Sequence, residues 1–182
     1  MGEYTDNQLL EMFQNSKTRN LAFNHIINQN QKRVYWHIRK IVISHEDAND
    51  ITQDTFIKVW NNLDSFKGAS KIYTWIYTIA TNESINLLKK RKKHYFESLD
   101  LVSYRLSEKL FADNYFNGKD IERKLQEAIL TLPTKQRIAF NMKYFENMKY
   151  DDISEILGTS VGTLKANYHH AKNKIEEFLK EY

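Results

Sequence analysis

Apolar residues recur every three or four positions along most of this chain. Such spacing lines one side of an α-helix, so the pattern predicts a series of amphipathic helices. The clearest instance covers 47–63, where the inward positions are Ala48, Ile51, Thr55, Phe56, Val59, Trp60 and Leu63. The same reasoning predicts further helices at 6–14, 20–43, 71–93, 120–132 and 134–145.

Capping residues predict where several of these helices begin and end. Thr5 followed by Gln8 is typical of a capping box, and Ser44 with the acidic residues after it favours a helix start. Pro133 ends the preceding helix because proline disfavours helical geometry in the residue before it. The length of the helix at 20–43 predicts a break near 28–31.

Periodicity is lost between 94 and 119, which predicts a flexible linker with partial structure. The expected fold is all-α, with two small helical domains at 1–93 and 120–182. The second domain is expected to be a four-helix unit that contains a helix-turn-helix.

The stretch 150–174 has the layout of a helix-turn-helix. Ile153, Leu157 and Leu164 supply apolar positions for two crossed helices, and Gly158 lies where the turn needs positive φ. Either Thr159 or Ser160 can cap the second helix. The candidates for its outer surface are Thr163, Lys165, Ala166, Asn167, His169 and His170. The alternative is an ordinary helical hairpin.

The helix at 47–63 also has an acidic, polar side. Asp47, Asp50, Gln53 and Asp54 lie on it, beside Glu46. In a basic protein such a face repels phosphates, which favours a protein partner. The alternatives are a solvated face or a cation site, but the spacing lacks the glycine and the terminal glutamate of a calcium loop.

The next segment combines aromatic rings with a basic run. Tyr73, Trp75 and Tyr77 are two residues apart and follow Phe66, so they cannot all face one core, and some rings should lie near the surface. The run at 89–93 comprises Lys89, Lys90, Arg91, Lys92 and Lys93. Aromatic rings beside lysines are typical of proteins that bind single-stranded nucleic acid, because rings stack on bases and lysines contact phosphates. The alternative is that the tryptophan belongs to the core and the lysines form a solvated helix end.

The composition mainly excludes certain kinds of site and structure. The 182-residue chain has one proline and five glycines, which favours helices, and its net charge of +4 with a pI near 9.0 suits a polyanionic partner. The absence of cysteine excludes disulfides, thiolate catalysis and cysteine zinc sites, and no apolar run has the length of a membrane span. The six histidines form no ligand or acid–base constellation. We expect a cytoplasmic protein with no metal, cofactor or membrane insertion.

Three segments in this order resemble the extracytoplasmic-function sigma factors of the sigma-70 family. Residues 47–68 (DANDITQDTFIKVWNNLDSFKG) resemble region 2.2 and the entry to 2.3, and residues 72–93 (IYTWIYTIATNESINLLKKRKK) resemble regions 2.3 and 2.4. Residues 132–175 resemble region 4. The nearest alternative is a conventional helix-turn-helix transcription regulator, but 47–93 offers neither a phosphorylation pocket in an α/β pattern nor a sustained heptad seam.

The resemblance implies a non-enzymatic specificity subunit that directs promoter-specific transcription initiation. Its implied partners are core RNA polymerase, through the coiled coil of the largest subunit and the flap of the second-largest, promoter DNA, and an anti-sigma factor. The implied polymerase-binding residues are Asp47, Asp50, Gln53, Asp54 and Phe56. Those implied for the −10 element are Phe66, Tyr73, Trp75, Asn82, Lys89, Lys90 and Arg91, with Phe66 and Asn82 beside an extruded base.

Region 4 is expected to read the −35 element as duplex. The residues assigned to it are Ser160, Thr163, Lys165, Asn167, His169, His170 and Lys172. Many relatives carry arginines where this chain has Asn167, His170 and Lys172. Because asparagine can pair with adenine in the major groove, Asn167 predicts a preference for a motif that contains A.

Overall fold

Helices account for nearly all of the regular structure in the part of the chain that the computed structural model describes, residues 4–95 and 120–181. The first four are α1 (Asp6–Gln14), α2 (Arg19–Val42), α3 (His45–Asn62) and α4 (Ile72–Tyr95), with a 3₁₀ turn at Leu63–Ser65. The last four are α5 (Asp120–Leu130), α6 (Thr134–Tyr144), α7 (Tyr150–Leu157) and α8 (Val161–Lys180). The described ranges contain no strand, and the prediction of an all-α fold is confirmed.

The predicted helix starts correspond to observed caps. At α1, the Thr5 hydroxyl accepts from the Gln8 amide at 3.3 Å and the Gln8 side chain accepts from the Thr5 amide at 2.9 Å. At α3, the Ser44 hydroxyl accepts from the Asp47 amide at 3.4 Å. These bonds satisfy backbone donors that the first turn of a helix leaves without partners.

The predicted break in the second helix is wrong. α2 runs without interruption for 24 residues, and it ends where Ile43 adopts a left-handed φ of 62°. Asn30, which lies within the stretch where the break was expected, is buried, and its side-chain amide donates to the Ile26 carbonyl at 2.8 Å. Because this bond forms one turn back within the same helix, a polar residue is accommodated without distorting α2.

The predicted linker at 94–119 lies almost entirely outside the described residues; only 94 and 95 are seen, as the end of α4. The helix expected at 120–132 ends at Leu130, and Pro133 immediately precedes α6. A turn at Asn147, with φ of 50°, then leads to α7. The four C-terminal helices match the predicted four-helix unit, whereas the boundaries proposed for the two domains stay a prediction.

The helix-turn-helix has the predicted turn, but one of its predicted core residues, Leu157, is replaced by Ile156. Gly158 adopts a φ of 60°, and Ser160 caps α8 by accepting from the Thr163 amide at 3.1 Å, so Ser160 and not Thr159 is the cap. Ile153 and Leu164 are buried as expected. Leu157 is only partly buried, and Ile156 takes the inner position because α7 presents residues 153 and 156 to its neighbours.

Replacing Gly158 with Val should lower the free energy of unfolding by about 1–2 kcal/mol, because a β-branched residue is strained at positive φ. A Cβ at this position would meet no atom within 4 Å, so the cost comes from the backbone alone. Gly158→Asn should cost less, because asparagine tolerates the left-handed region. Gly162→Ala, inside α8, is the control and should be neutral or stabilising. Urea unfolding measures all three, and an unchanged Gly158→Val protein would contradict the steric argument.

One apolar core joins the two halves of the described chain. α2, α3 and α4 pack together, and Met142, Ile153 and Leu164 from the C-terminal helices belong to the same buried cluster. A second, smaller cluster lies between α5, α6 and α8, with Ile129, Phe140 and Ile175. In the described residues, no helix is both long enough and apolar enough to cross a membrane.

Candidate protein and nucleic-acid interfaces

The acidic face, which consists of Asp50, Gln53 and Asp54 on α3, is exposed. Asp50 and Gln53 stand at the edge of a groove of about 950 Å³ between α2 and α3. The floor and walls of the groove are largely apolar and include Phe23, Ile27, Phe56, Ile57 and Trp60. An apolar centre with a polar rim is the usual composition of a protein-binding surface.

Phe56 and Asp47 are less exposed than Asp50, Gln53 and Asp54, the other residues predicted to bind polymerase. Phe56 is only 8% exposed and forms part of the groove floor, so it can meet a partner over a small area. Asp47 is partly buried, and its carboxylate accepts from the Arg91 guanidinium at 2.6 Å. Asp47 and Arg91, which the sequence analysis assigned to different partners, therefore form an ion pair with each other. This pair links the start of α3 to the end of α4.

The structure brings Phe66, Trp75 and Asn82 together. The rings of Phe66 and Trp75 stack with centroids 4.8 Å apart and an interplanar angle of 27°. Trp75 and Asn82 line a recess of about 370 Å³, together with Lys58, Asn62, Ser65, Ile79 and Glu83. We call this recess the strand pocket. It offers an aromatic surface and an exposed amide within one opening.

Tyr77 and Tyr73 do not line the strand pocket. Tyr77 is 1% exposed and packs on His37 with ring centroids 4.7 Å apart, so the expectation that only some of the rings reach the surface is confirmed. Tyr73 lies one turn earlier on α4 beside Lys71, and it is partly buried by α7, where its hydroxyl bonds to Asp152. Burial, followed by this hydrogen bond, raises the pKa of Tyr73.

The basic end of α4 continues from the strand pocket. Lys89 and Lys90 are exposed, and Arg91 is partly exposed while bound to Asp47. At a rise of 1.5 Å per residue, Lys89 lies about 10 Å along the helix from Asn82. The strand pocket and the exposed lysines therefore follow one another along α4.

The seven residues predicted for duplex recognition divide into three groups on α8. Ser160 is the cap, and its hydroxyl also bonds to that of Thr163 at 2.8 Å. At 100° per residue, Thr163, Asn167 and His170 fall on one flank, whereas Lys165, His169 and Lys172 fall on the other. Leu164, Ala171 and Ile175 face the core between the flanks. One flank is polar and mostly uncharged, and the other carries two lysines.

Several of these side chains have intramolecular partners. The Asn167 carbonyl accepts from Gln136 at 3.1 Å, which fixes α8 against α6 and leaves the Asn167 amide side chain partly exposed. Lys172 pairs with Glu176 at 3.5 Å, and His169 contacts Asn173 at 3.4 Å. Lys165 is exposed, with its ammonium 5.9 Å from the centroid of the Tyr150 ring. No group of three metal-ligating side chains comes together in the ranges 4–95 and 120–181.

Comparison with known proteins decides the family. Sigma-70 region 2 matches residues 26–94, and Sigma-70 region 4 matches residues 122–175. The RNA polymerase sigma factor YlaC of Bacillus subtilis is 31% identical over 138 residues, which cover 72% of this chain and 77% of that protein. The chain is an extracytoplasmic-function sigma factor of the sigma-70 family. Its function is promoter-specific initiation of transcription.

Other relatives of this sigma factor span almost its whole length. The ECF RNA polymerase sigma factor SigW of Bacillus subtilis is 29% identical, with 88% of this chain and 90% of that protein covered. The ECF RNA polymerase sigma-E factor of Escherichia coli is 27% identical, with 96% and 94% covered. The region 2 match extends from within α2 to α4, and the region 4 match from α5 to α8.

Two solved structures share the fold of this sigma factor. One is the sigma factor RpoE in complex with the anti-sigma factor NepR from Bartonella quintana, with a TM-score of 0.67 and 23% identity. That similarity covers 87% of this chain and 96% of the other. The second is CnrH in complex with the cytosolic domain of CnrY, with a TM-score of 0.69, 19% identity and 97% of both chains covered.

Proposed function

We propose that the sigma factor divides promoter recognition among three surfaces on separate helices. α3 docks on the RNA polymerase core, the strand pocket and basic end of α4 hold the −10 strand, and α8 reads the −35 duplex. The observation that carries this assignment is the Phe66–Trp75 stack beside the exposed Asn82, on the same helix as the free lysines. Together they provide a base-binding surface followed by a phosphate-binding one.

The acidic face and its groove are the proposed contact with the coiled coil of the largest polymerase subunit. Ile57, which is 52% exposed, lies in the groove between Gln53 and Trp60, so a partner helix would bury it. Asp50 borders this apolar surface and Asp54 lies one turn further along α3; both are exposed and can pair with basic side chains of the partner. Charged rims of this kind mainly set orientation and association rate, and the apolar centre supplies most of the affinity. The C-terminal helices would meet the flap of the second-largest subunit.

The strand pocket is proposed to receive a base extruded from the non-template strand. Extrusion costs a few kcal/mol, and stacking on an aromatic ring recovers about 1–3 kcal/mol per base. Trp75 supplies such a ring, with Phe66 behind it, and Asn82 can donate to or accept from the edge of the base. Strand opening is then coupled to recognition through binding energy alone, and we propose that this chain performs no catalysis.

The two flanks of α8 are proposed to have different tasks in the major groove. Thr163, Asn167 and His170 can reach base edges, and Lys165 with Lys172 can contact phosphates on the other side. Phosphate contacts position the helix, whereas base contacts supply sequence information. Asn167 has the group that pairs best with adenine, so specificity should depend on the first flank.

Replacing Lys165 with Ala should weaken binding to a −35 duplex and reduce its salt dependence by about one unit of slope, because one phosphate contact is lost. Binding measured by fluorescence anisotropy over a range of salt concentrations gives both quantities. Lys180→Ala, at the far end of α8, removes the same charge and should leave the slope unchanged. Equal slopes for wild type and Lys165→Ala would exclude this phosphate contact.

An anti-sigma factor is a further proposed partner. Both structural neighbours are described as complexes, RpoE with the anti-sigma factor NepR and CnrH with the cytosolic domain of CnrY. The groove between α2 and α3 stays open when the two halves of this chain are packed together. An inhibitor that covers this groove would compete directly with polymerase. As a polymerase subunit, the protein is expected to act in the cytoplasm.

The whole proposal is tested by adding the protein to sigma-free core polymerase on genomic DNA and mapping the 5′ ends of the transcripts. We expect start sites that share one motif near −10 and one near −35 and that are absent without the protein. Core polymerase alone is the control. A conventional helix-turn-helix regulator would bind DNA in this assay without enabling initiation, so failure to produce transcripts would favour that alternative.

A further inference from the structure

The loop at 66–71 connects the 3₁₀ turn to α4, and we call it the pocket loop. It begins with Phe66, whose ring stacks on Trp75 in the strand pocket. Residues 67–69 are exposed, and Gly68 adopts a left-handed φ of 68°. Because the middle of the loop faces solvent, its course depends largely on how its two ends are held. Both ends are held by side chains from the N-terminal part of the chain.

The end of the pocket loop at α4 is held by Asp6, the first residue of α1. Oδ2 of Asp6 accepts from the backbone amide of Ile72, the first residue of α4, at 2.8 Å. Ile72 is preceded by Lys71, which has no side-chain oxygen with which to cap α4 itself. Asp6 therefore caps α4 from 66 positions away, and its carboxylate lies at the positive end of the α4 dipole.

The other end of the pocket loop is held by Arg19, the first residue of α2. Its guanidinium donates to both carboxylate oxygens of Asp64, from Nη1 at 3.2 Å and from Nη2 at 2.5 Å. The guanidinium carbon also lies 4.0 Å from the centroid of the Phe13 ring and 5.1 Å from that of Trp60. Contact with two rings and a bidentate bond together fix the orientation of this planar group. Asp64 is thus held just before Phe66.

Packing of α1 brings these side chains to the pocket loop. α1 contacts both α2 and the 3₁₀ turn, and Leu9 on α1 and Leu63 in the turn are both buried. The Asp64 side chain is 52% exposed, so solvent screens its pairing with Arg19 and the pair contributes little by itself. Asp6 is partly buried, so its bond to α4 should be the stronger of the two.

We propose that Asp6, supported by Arg19, is a positioning residue for the strand pocket: it holds the pocket loop so that Phe66 lies against Trp75 before DNA binds. This inference rests on the proposed function of the pocket and adds the residues that shape it. A loop that is already ordered loses less conformational entropy when a base binds, so the base is bound more tightly. Both positioning side chains precede the match to sigma-70 region 2, which begins at residue 26 and contains the pocket.

The first test measures motion of the pocket loop in the full-length free protein. Because the chain has no cysteine, Ala69→Cys allows a nitroxide label to be attached at an exposed position of the loop. Asp6→Ala removes the acceptor for the Ile72 amide, and it should narrow the lines of the electron paramagnetic resonance spectrum. Asp6→Asn keeps an acceptor oxygen and should leave the spectrum close to that of wild type. Glu11→Ala removes an exposed carboxylate from the same helix and is the matched control, with no expected change.

The second test measures base recognition by the polymerase holoenzyme formed with each variant. The probe is the non-template strand of the −10 motif at a mapped start site, compared with the same strand carrying an abasic site at each position in turn. Wild type should bind the complete strand at least about fivefold more tightly than the strand that lacks the extruded base. Asp6→Ala should lower this ratio by about threefold, whereas Asp6→Asn and Glu11→Ala should preserve it.

The ratio separates positioning from a general loss of stability. Both affinities are measured on one preparation of a variant, so a smaller fraction of folded protein cancels in the ratio. The capping box of Thr5 and Gln8 is unchanged in Asp6→Ala, so α1 should stay folded, which far-UV circular dichroism verifies. If the helical signal nevertheless falls, the ratio alone decides.

Unchanged mobility of the label in a folded Asp6→Ala protein would overturn the role of Asp6 in holding the loop. Greater mobility with an unchanged ratio, or an equal loss for Asp6→Asn or Glu11→Ala, would overturn the positioning of the pocket by the Asp6 bond. If wild type discriminates against no abasic position, the proposed function of the strand pocket fails. The label then still decides whether Asp6 holds the loop.

Discussion

Replacing both Asp50 and Asp54 with Lys should weaken binding of the sigma factor to core polymerase by about tenfold to a hundredfold. Reversing two rim charges replaces two attractive contacts with repulsive ones, and like-charge pairs across an interface cost several kcal/mol at most. Both side chains are exposed, so the fold should be unaffected. The loss should appear mainly as slower association and should shrink as salt is added.

Binding of labelled protein to core polymerase, measured at low and moderate salt, gives this result. Glu11→Lys is the control for the effect of each reversed charge, because this exposed acidic residue lies on α1, a helix with no proposed interface. Thermal unfolding should be similar for all three proteins. If the Asp50 and Asp54 variant binds core polymerase as tightly as the control does, the acidic face is a solvated surface and polymerase docks elsewhere.

Trp75→Ala should reduce open-complex formation by the polymerase holoenzyme by about fivefold to a hundredfold, since base stacking on an aromatic ring contributes about 1–3 kcal/mol. The expected defect is in capture of the unpaired base, so binding of the −35 duplex by the same protein should not change. Permanganate reactivity of unpaired thymines at a promoter found by start-site mapping measures the opening.

Trp75→Phe is the control for this substitution, because it keeps an aromatic ring against Phe66. It should recover most of the opening. The Phe66–Trp75 pair also contributes to stability, about 0.5–1.5 kcal/mol beyond the area that it buries. Urea unfolding therefore accompanies the assay. An Ala variant that loses duplex binding and opening in parallel, together with a large loss of stability, would show that the ring serves the core and not the DNA strand.

Most of the local structure follows from short-range patterns. The capping box of α1, the Ser44 cap, the end of a helix before Pro133 and the left-handed Gly158 each involve residues within a few positions of one another. Their physical causes are backbone hydrogen bonds and allowed φ values, which neighbours in sequence determine. The unbroken α2 shows the limit of this reasoning, because Asn30 satisfies its amide inside the helix once packing buries it.

The sequence predicted which residues share a helix face, but it predicted only in part which of their side chains are exposed and lie together. Spacing placed Asp50 and Asp54 on one face of α3, and it showed that the rings of Tyr73, Trp75 and Tyr77 must diverge. It did not show which ring would reach the surface, because that depends on which helix covers each side of α4. Packing of α2 and α7 buries Tyr77 and partly covers Tyr73, and Trp75 is left to stack with Phe66.

The sequence by itself determined the helical class, the family resemblance and the chemistry that each surface carries, since these depend on residue types at local spacings. Only the tertiary structure decided which distant residues meet: Asp47 with Arg91, His37 with Glu146, and Asp152 with Lys71. These pairs are 44, 109 and 81 positions apart in the chain. Contacts at such separations arise from how whole helices pack, and no local periodicity records them.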